Sequence, residues 1–324
     1  MNIDKPKYFN KAFDCIGIGV CTVDYLSVLS RYPALNEKVE SVAYSVQGGG
    51  PVPNALAAAS RLGLKCSYIG SVGNDTNGHF LIEELQNFGV DTSFMKLHPD
   101  SATPFATIWI DKNSGYRSVV LNRNQYISLT CDTLPKQIIS STPILLLDGR
   151  DSSVNLCAAQ WAKDAGNLVV CDFGSVRQKT EELLKLTHYP VTSFNFIRQF
   201  LGDVSAESAA TELLKYGCKA AVVTDGKRGC WYASDASVFH QPAFPVNVVD
   251  TTGAGDAFHG AFLAGLKKGW DIRTIVQFAG AVAAKTCEHV GGKSGLPTME
   301  DALNLLVKNN VNNEVFKEES KHAE

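Results

Sequence analysis

The sequence contains no C-x-x-C pair, no H-E-x-x-H motif and no run of 18 apolar residues free of charge. These absences argue against a structural zinc site, a zinc protease and a membrane-spanning helix. Charge of one sign is also scarce, because 30 basic and 33 acidic side chains leave a net charge of −3. The chain therefore has no general attraction for nucleic acid or an anionic membrane, and we expect neither as a partner.

A secretory leader and a disulfide framework are not indicated either. Residues 1–11 are polar and charged, and Gly17, Gly19 and Asp24 break the first apolar run, which does not fit a signal peptide. Most of the nine cysteines lie inside apolar runs, a pattern typical of reduced core thiols. We therefore predict a cytoplasmic protein whose residues 307–324 form a polar, frayed tail.

Short apolar runs alternate with helix-like segments through most of the 324 residues, of which 45% are hydrophobic. The predicted strands cover residues 14–23, 65–73, 142–148, 167–172, 190–194 and 219–224. The predicted helices cover residues 53–62, 78–88, 154–164, 207–216, 254–268 and 272–289. This alternation predicts an α/β fold with a doubly wound, mainly parallel sheet flanked by helices.

Two regions of alternating polar and apolar residues do not fit a parallel core. Residues 36–47 and 102–122 predict half-exposed strands, and the second region turns at residues 111–115. We interpret these strands as a small β-sheet lid over the ligand-binding edge of the sheet, within one domain spanning residues 12–306. An edge hairpin with no special role is the plainer alternative.

Residues 249–258 (VDTTGAGDAF) carry the strongest local signal in the chain. Gly253 and Gly255 leave backbone amides uncovered, and a helix that begins near Ala254 points its unpaired N–H groups and positive dipole end forward. Such a helix start can bind an anion, and Asp256 in the first turn could take a proton from a hydroxyl held against it. A glycine-rich turn that only starts a helix is the plain alternative.

A second glycine-led helix start, residues 47–59 (QGGGPVPNALAAA), places the polar Asn54 on an otherwise apolar helix. The two motifs together resemble the two signatures of the ribokinase-like (PfkB) family of carbohydrate and nucleoside kinases. Among its members the chain is most similar to ketohexokinase, fructokinase and ribokinase-type sugar kinases. The resemblance extends from about residue 13 to residue 306, with its parts in the family's order.

The resemblance implies ATP-dependent phosphorylation of a hydroxyl of a small sugar, a ketose or pentose, with Mg²⁺ bridging the nucleotide phosphates. It implies that Asp256 is the general base and that the amides of Gly253, Ala254 and Gly255 hold the transferring phosphate. Further matches occur at residues 19–24, 70–78 (GSVGNDTNG), 145–150 (LLLDGR) and 224–229 (TDGKRG). On this basis the sugar would contact Asp24, Gly49, Gly50, Asn54 and Asp148, and the nucleotide would contact Thr224, Gly226 and Gly229.

Two metal positions and a dimer are implied with less support from the residues. Arg198 stands three residues after Asn195, where the family usually carries a magnesium-organising glutamate. An arginine cannot hold a cation, so Mg²⁺ would be organised by phosphate oxygens and water, or the two sequences align differently here. Asp250 and Thr252 resemble part of a potassium site, although a carboxylate there can simply cap the turn. In this family the β lid often provides a homodimer surface.

Other motifs in the chain point to different functions. Residues 291–294 resemble the end of a P-loop, but they follow a helix and lack its leading glycine. His259 is expected to be a core residue rather than a catalyst. A nucleoside kinase remains an alternative, with Trp109, Tyr116 or Phe105 as a shelf for the base. The other alternative is a sugar-binding relative with weak catalysis, which Arg198 would favour.

Overall fold

The computed structural model describes residues 12–323, so the prediction for residues 1–11 lies outside the described part. The strands are β1 (Cys15–Ile18), β2 (Thr22–Leu29), β3 (Ser41–Gly49), β4 (Cys66–Gly73), β5 (Asp91–His98), β6 (Phe105–Asp111), β7 (Arg117–Asn122), β8 (Ile144–Leu147), β9 (Leu168–Phe173), β10 (Tyr189–Ser193), β11 (Ala220–Thr224), β12 (Cys230–Ser234) and β13 (Ser237–Gln241). The helices are α1 (Pro51–Arg61), α2 (Thr76–Asn87), α3 (Lys136–Ser141), α4 (Ser152–Asp164), α5 (Thr180–Leu186), α6 (Phe194–Phe200), α7 (Ala206–Leu213), α8 (Ala254–Lys268), α9 (Ile272–Thr286), α10 (Met299–Lys308) and α11 (Glu314–Ala323).

Nine strands form the central sheet in the order β13-β12-β11-β10-β9-β8-β1-β4-β5. Every neighbouring pair from β11 to β5 is parallel, and β12 and β13 add an antiparallel hairpin at one edge. The predicted α/β fold with a mainly parallel sheet is therefore confirmed. Strand β5 and the β12–β13 hairpin were not predicted; β5 and β13 are the two edge strands of the sheet and are only partly buried.

Alternate residues of one strand face two separate cores, which is why the inner strands read as continuous apolar runs. In β8, Ile144 and Leu146 pack in the core under α1, α8 and α9. Leu145 and Leu147 point the other way, into the core formed with α4, α5 and α7. The sheet is therefore covered by helices on both faces.

Small residues let α1 and α8 approach closely. A Cβ atom on Gly260 of α8 would lie 2.5 Å from the Ala55 carbonyl oxygen and 2.5 Å from the Ala58 Cβ of α1. Glycine is thus required at this crossing, because a larger residue would push the helices apart. The close contact brings the N-terminal turns of the two glycine-led helices side by side.

A second sheet has four strands in the order β3-β2-β6-β7. Its strands β3, β6 and β7 come from the two regions predicted as a lid, but β2 was not predicted there. We expected residues 14–23 to form one central strand ending at Asp24. Instead β1 ends at Ile18, and Asp24 lies within β2, paired with Gln47 of β3 and Ala106 of β6.

The predicted frayed tail is wrong for the part that the structure describes. Helix α11 follows α10, and its Phe316 is 1% exposed. The Phe316 ring lies 5.8 Å from the Trp270 ring and 6.5 Å from the Phe278 ring, between centroids. One aromatic residue and three valines among the many polar residues of 307–324 were too weak a signal to predict this packing.

The cysteines also require a correction. Cys131 and Cys157 form a disulfide, with 6.0 Å between their Cα atoms, which joins the segment before α3 to α4. The other seven cysteines are free and buried, as expected for core thiols.

Within residues 12–323, no helix is both long enough and apolar enough to cross a bilayer.

Candidate active site

Helix α8 begins at a turn that only glycine can form. Gly253 has a φ of 75°, and a Cβ atom there would lie 2.4 Å from the Gly292 Cα. Within the described chain, the N–H groups of Gly253 and Gly255 have no hydrogen-bond partner, whereas Ala254 N–H has a long contact of 3.4 Å to the Thr251 carbonyl. A Cβ atom on Gly255 would meet nothing within 4 Å. The start of α8 therefore presents free amides to open space, as an anion site requires.

Asp250 is fully buried and holds this turn in place. Its Oδ1 accepts hydrogen bonds from Thr252 N at 2.9 Å and Thr252 Oγ1 at 2.8 Å, and its Oδ2 accepts one from Gly291 N at 2.7 Å. These bonds tie the turn to the loop that packs against Gly253. The capping role accounts for every one of these contacts without a cation.

Asp256 points from the first turn of α8 towards α1. Asn54 Nδ2 donates a hydrogen bond to Asp256 Oδ2 at 2.7 Å, and Asn54 Oδ1 has no partner among the described residues. Asn54 was predicted as a sugar ligand, and it does line the cleft, but it also orients the predicted base. The sequence motifs did not show this contact, because the two residues are 202 positions apart.

A cleft of about 200 Å³ lies between the two sheets in front of α8. Its wall combines four of the predicted polar residues with two arginines and a row of aliphatic side chains. The lining residues are Val20, Thr22, Asp24, Gly50, Pro51, Asn54, Ala106, Ile108, Arg117, Val119, Leu121, Arg150, Thr252, Gly253 and Asp256. The sequence analysis did not place Arg117 here, since nothing around it in the sequence resembles a binding motif.

The glycines before α1 make room for Asp24. A Cβ atom on Gly49 would lie 2.1 Å from Asp24 Oδ2, and one on Gly50, whose φ is 107°, would lie 2.2 Å from the Val20 carbonyl oxygen. Asp24 Oδ1 accepts a hydrogen bond from Thr22 Oγ1 at 3.0 Å. Gly49 is absent from the cleft wall, so its part in the site is to let the Asp24 carboxylate pack beside it.

Asp148 lies behind the cleft rather than on its wall. Its carboxylate accepts hydrogen bonds from Val20 N at 2.9 Å and Arg150 N at 3.0 Å, and its side chain is 1% exposed. Both of these partners line the cleft. The structure therefore places Asp148 as a support for them, where the sequence predicted a direct sugar ligand.

The predicted nucleotide residues lie apart from this cleft, at the carboxyl end of β11. Thr224 Oγ1 donates to the Thr192 carbonyl at 3.1 Å, and the 3₁₀ turn after it runs from Gly226 to Arg228. A Cβ atom on Gly229 would lie 2.0 Å from the Gln241 carbonyl oxygen, so glycine is needed for packing against β13. The nucleotide role of Thr224, Gly226 and Gly229 stays a prediction.

Arg198 lies on the surface of α6, and its guanidinium carbon is 4.9 Å from the centroid of the Phe194 ring. Asn195 is exposed as well. Residues 12–323 contain no group of three or more His, Cys, Asp or Glu side chains that could hold a metal ion.

Burial raises the pKa of both cleft acids. The pKa of Asp256 rises to about 7, mainly because the carboxylate is desolvated and secondly because of the nearby negative charge of Asp172. Asn54, His259 and Arg117 oppose this rise. Desolvation also raises the pKa of Asp24 to about 6. A carboxylate with a pKa near neutrality is suited to general base catalysis.

The pKa of Asp256 leads to a prediction about Asp172. A base acts only when deprotonated, so kcat/KM for the sugar, which reports pKa values of the free enzyme, should fall as the pH drops through about 7. Replacing Asp172 with Asn removes a like charge, lowers the pKa of Asp256 and should move this acidic limb to lower pH. A profile of kcat/KM against pH measures the shift, and Asp203→Asn, a surface change, serves as the control. An unmoved limb in Asp172→Asn would contradict the assignment.

His259 is buried, as predicted for a core residue. Its Nδ1 lies 2.7 Å from the Gly255 carbonyl oxygen, and its Nε2 lies 3.3 Å from that of Val191. Lys293, from the rejected P-loop match, is also buried and pairs with Glu84, which in turn accepts a hydrogen bond from Gly48 N at 2.9 Å. Both residues therefore have structural partners.

The fold and the α8 site define a ribokinase-like kinase. Residues 14–299 match the model of the pfkB family of carbohydrate kinases, and the chain belongs to that family. Its activity is ATP-dependent phosphoryl transfer to a sugar or nucleoside.

Known proteins similar to this chain include kinases of both substrate classes. It is 28% identical to the Arabidopsis thaliana protein named probable fructokinase-5, over 82% of this chain and 90% of that protein. It is 27% identical to a nucleoside kinase of Methanothermobacter thermautotrophicus, over 90% of this chain and 94% of that protein. The structure of Arabidopsis thaliana ribokinase complexed with ribose and ATP covers 91% of this chain and 99% of its own, with a TM-score of 0.78 at 24% identity. This last similarity shows the fold alone.

Proposed function

We propose that the protein phosphorylates a hydroxyl of a small sugar, a ketose or pentose, with Asp256 as the general base. One observation carries the proposal: the Asp256 carboxylate and the free amides at the start of α8 adjoin the cleft that Asp24 also lines. A hydroxyl held there could lose its proton next to the groups that receive the phosphate.

In this mechanism the sugar hydroxyl loses its proton to Asp256 as its oxygen attacks the γ-phosphorus of ATP. The new P–O bond forms while the bond from that phosphorus to the β,γ-bridging oxygen breaks, and ADP leaves. The amides of Gly253, Ala254 and Gly255 donate hydrogen bonds to the charge that develops on the transferring group.

Kinases of this family use ATP with Mg²⁺. For this chain we propose that Thr224, Gly226 and Gly229 contact the nucleotide. Since Arg198 repels cations, the Mg²⁺ ligands would be phosphate oxygens and water, and the ion would neutralise phosphate charge during transfer.

A coupled ADP-release assay tests the proposal on a panel of ketoses, aldoses, sugar acids, sugar phosphates and nucleosides. We expect turnover with a sugar and little with nucleosides. A preference for adenosine or another nucleoside over every sugar would overturn the sugar assignment and leave the kinase activity standing.

The lid wall of the cleft lacks the aromatic shelf that was considered for a nucleobase. Its lining residues from β6 and β7 include the aliphatic Ala106, Ile108, Val119 and Leu121. None of the three aromatic residues considered as a base shelf lines the cleft: Phe105 packs against Tyr25, Trp109 packs against Tyr32, and Tyr116 is exposed. The alternative of a binding protein with weak catalysis is disfavoured by the intact glycine turn around Asp256.

Sugar use should depend on Asp24. Asp24→Ala removes a carboxylate that can accept two hydroxyl hydrogen bonds, and the lost partner costs about 1–3 kcal/mol, or roughly one to two powers of ten in kcat/KM. The KM for ATP should stay unchanged. Steady-state kinetics with each substrate varied in turn measure both values. An equal effect on both substrates would contradict the role.

Two further features implied by the family are proposals for this chain. The lid would form a homodimer surface, because Val42, Tyr44 and Val120 are exposed on β3 and β7. Sedimentation velocity should then give twice the 35.0 kDa chain mass, and a monomer would exclude the dimer.

A potassium ion at Asp250 and Thr252 would make activity higher in potassium chloride than in choline chloride, and equal activities would exclude that ion.

A further inference from the structure

Two arginines line the cleft beside the acids that we assign to sugar binding and catalysis. Arg117 is the first residue of β7 in the lid sheet, and Arg150 follows β8 of the central sheet. They therefore reach the cleft from two different layers of the molecule. Neither has a role in the mechanism proposed above.

Arg117 is not committed to a partner within the described chain. Its positive charge lowers the pKa of both Asp24 and Asp256, so the guanidinium lies within electrostatic reach of the two acids. No hydrogen bond or ion pair within 4.0 Å joins it to either acid or to any other residue in 12–323. In this conformation Arg117 therefore does not neutralise the charge of Asp24 or Asp256 by direct contact.

Arg150 is only weakly paired. Its Nε lies 3.8 Å from Asp148 Oδ2, an oxygen that already accepts a hydrogen bond from Val20 N at 2.9 Å. Its side chain is 29% exposed, on the cleft side of a buried acid. The long contact leaves the terminal N–H groups of the guanidinium available to a ligand.

Another arginine adds positive charge near Arg150. Burial lowers the pKa of Arg177, and the charges of Arg150 and Arg123 lower it further, while Asp148 opposes this shift. Arg177 therefore lies within electrostatic reach of Arg150, although it does not line the cleft. Positive charge near the Arg150 end of the cleft favours an anionic ligand group over a neutral one.

We propose that the sugar substrate carries an oxyanion group, such as a carboxylate, sulfonate or phosphate, which binds between Arg117 and Arg150. This inference rests on the proposed function and narrows its substrate class. The planar fork of arginine matches oxyanions through paired N–H donors. Because Asp24 and Asp256 would repel an anion, this group lies at the opposite end of the sugar from the reacting hydroxyl.

The phosphates of ATP offer the same oxyanion chemistry, so the test must separate the two sources. An arginine that binds nucleotide phosphate raises the KM for ATP when it is replaced. Replacing an arginine that binds the anionic group of the sugar raises the KM for that sugar far more than the KM for the matched neutral sugar.

The experiment compares matched pairs in the ADP-release assay at constant ionic strength. Fructose is paired with fructose 1-phosphate, fructose 6-phosphate and 6-deoxy-6-sulfofructose, ribose with ribose 5-phosphate, and glucose with gluconate. Wild-type protein is compared with Arg117→Gln, Arg150→Gln and the control Arg61→Gln, which removes the same charge from the exposed end of α1. The thermal shift that each sugar produces without nucleotide is measured in parallel.

We expect at least one anionic sugar to have a kcat/KM about tenfold or more above its neutral partner. Arg117→Gln and Arg150→Gln should each lower that value by about 10- to 100-fold, the effect of losing a charged hydrogen-bond partner. The KM for ATP and the Arg61→Gln control should be unchanged. Neutral sugars should lose much less than the anionic sugar in both variants; Arg117→Gln also removes a charge that lowers the pKa of Asp256, so a small loss with every sugar is expected there.

Three results would overturn the inference: preference for the neutral sugar in every pair, an equal loss for neutral and anionic sugars in the variants, or a raised KM for ATP in place of the sugar effect. A failure of the proposed sugar kinase function would give a different set of results from a failure of the oxyanion inference. If no sugar is turned over but an anionic sugar raises the melting temperature of the wild type and not of Arg150→Gln, the binding inference stands and the kinase proposal fails.

Discussion

Asp256→Asn is expected to lower kcat by about 10²- to 10⁴-fold while the fold and the KM for sugar are retained, since a positioned general base contributes about that factor. The substitution keeps the shape of the side chain. Its amide oxygen can still accept the hydrogen bond that Asn54 Nδ2 donates to Asp256 Oδ2. The loss therefore reports the missing proton acceptor rather than a disturbed helix start.

Turnover of the Asp256→Asn variant is measured by ADP release at saturating sugar and ATP, with circular dichroism and thermal melting as checks on folding. Asp203→Asn, a surface change of the same chemistry, is the matched control. A kcat within threefold of the wild type would rule out Asp256 as the base. Should Asp256→Asn melt early, Asp256→Ala, which also lacks the acceptor, offers a second test.

Gly255→Val is expected to abolish most phosphoryl transfer, by about 10²- to 10³-fold, without unfolding the protein. A Cβ atom at residue 255 meets nothing within 4 Å, so the branched side chain would project into the space before α8 and cover the free amides. Losing one donor to a developing oxyanion costs about this factor. Valine has a better helix propensity than glycine, so the melting temperature should not fall.

Gly253→Val provides the contrast, because it should fail for a different reason. Residue 253 has a φ of 75°, and a Cβ atom there would lie 2.4 Å from the Gly292 Cα, so this variant should lose stability as well as activity. Gly255→Ala should lie between the wild type and Gly255→Val in kcat. Normal turnover in a folded Gly255→Val protein would place the phosphate elsewhere.

Gly253 and Gly255 show what a local sequence motif can predict and what it cannot. The sequence analysis predicted a helix start with exposed amides at residues 253–255, and the structure has α8 beginning at Ala254. Gly253 has the left-handed conformation, and Gly292, a residue far along the chain, lies where a Cβ atom on Gly253 would be. Only the tertiary structure distinguishes Gly253 from Gly255.

The positions of Asp24 and Asp148 also could not be predicted from the local sequence. Both follow apolar runs that predict strands, and both were expected at strand ends facing the sugar. The run before Asp24 breaks at residues 19–21 and continues in another sheet, a change that depends on pairing with β3 and β6 rather than on local propensity. Asp148 is turned inwards by hydrogen bonds to Val20 and Arg150.

The sequence by itself determined the α/β architecture, the family and the glycine-led helix starts, because periodicity and turn chemistry are local properties of a chain. The tertiary structure decided which distant groups meet. Asn54 contacts Asp256, which is 202 positions away, and Lys293 pairs with Glu84, which is 209 positions away. In each pair, the local sequence around one residue gives no indication of the other. Arg117 and Arg150 line the same cleft for the same reason. The strand order of the two sheets brings them there, and their spacing in the sequence does not predict it.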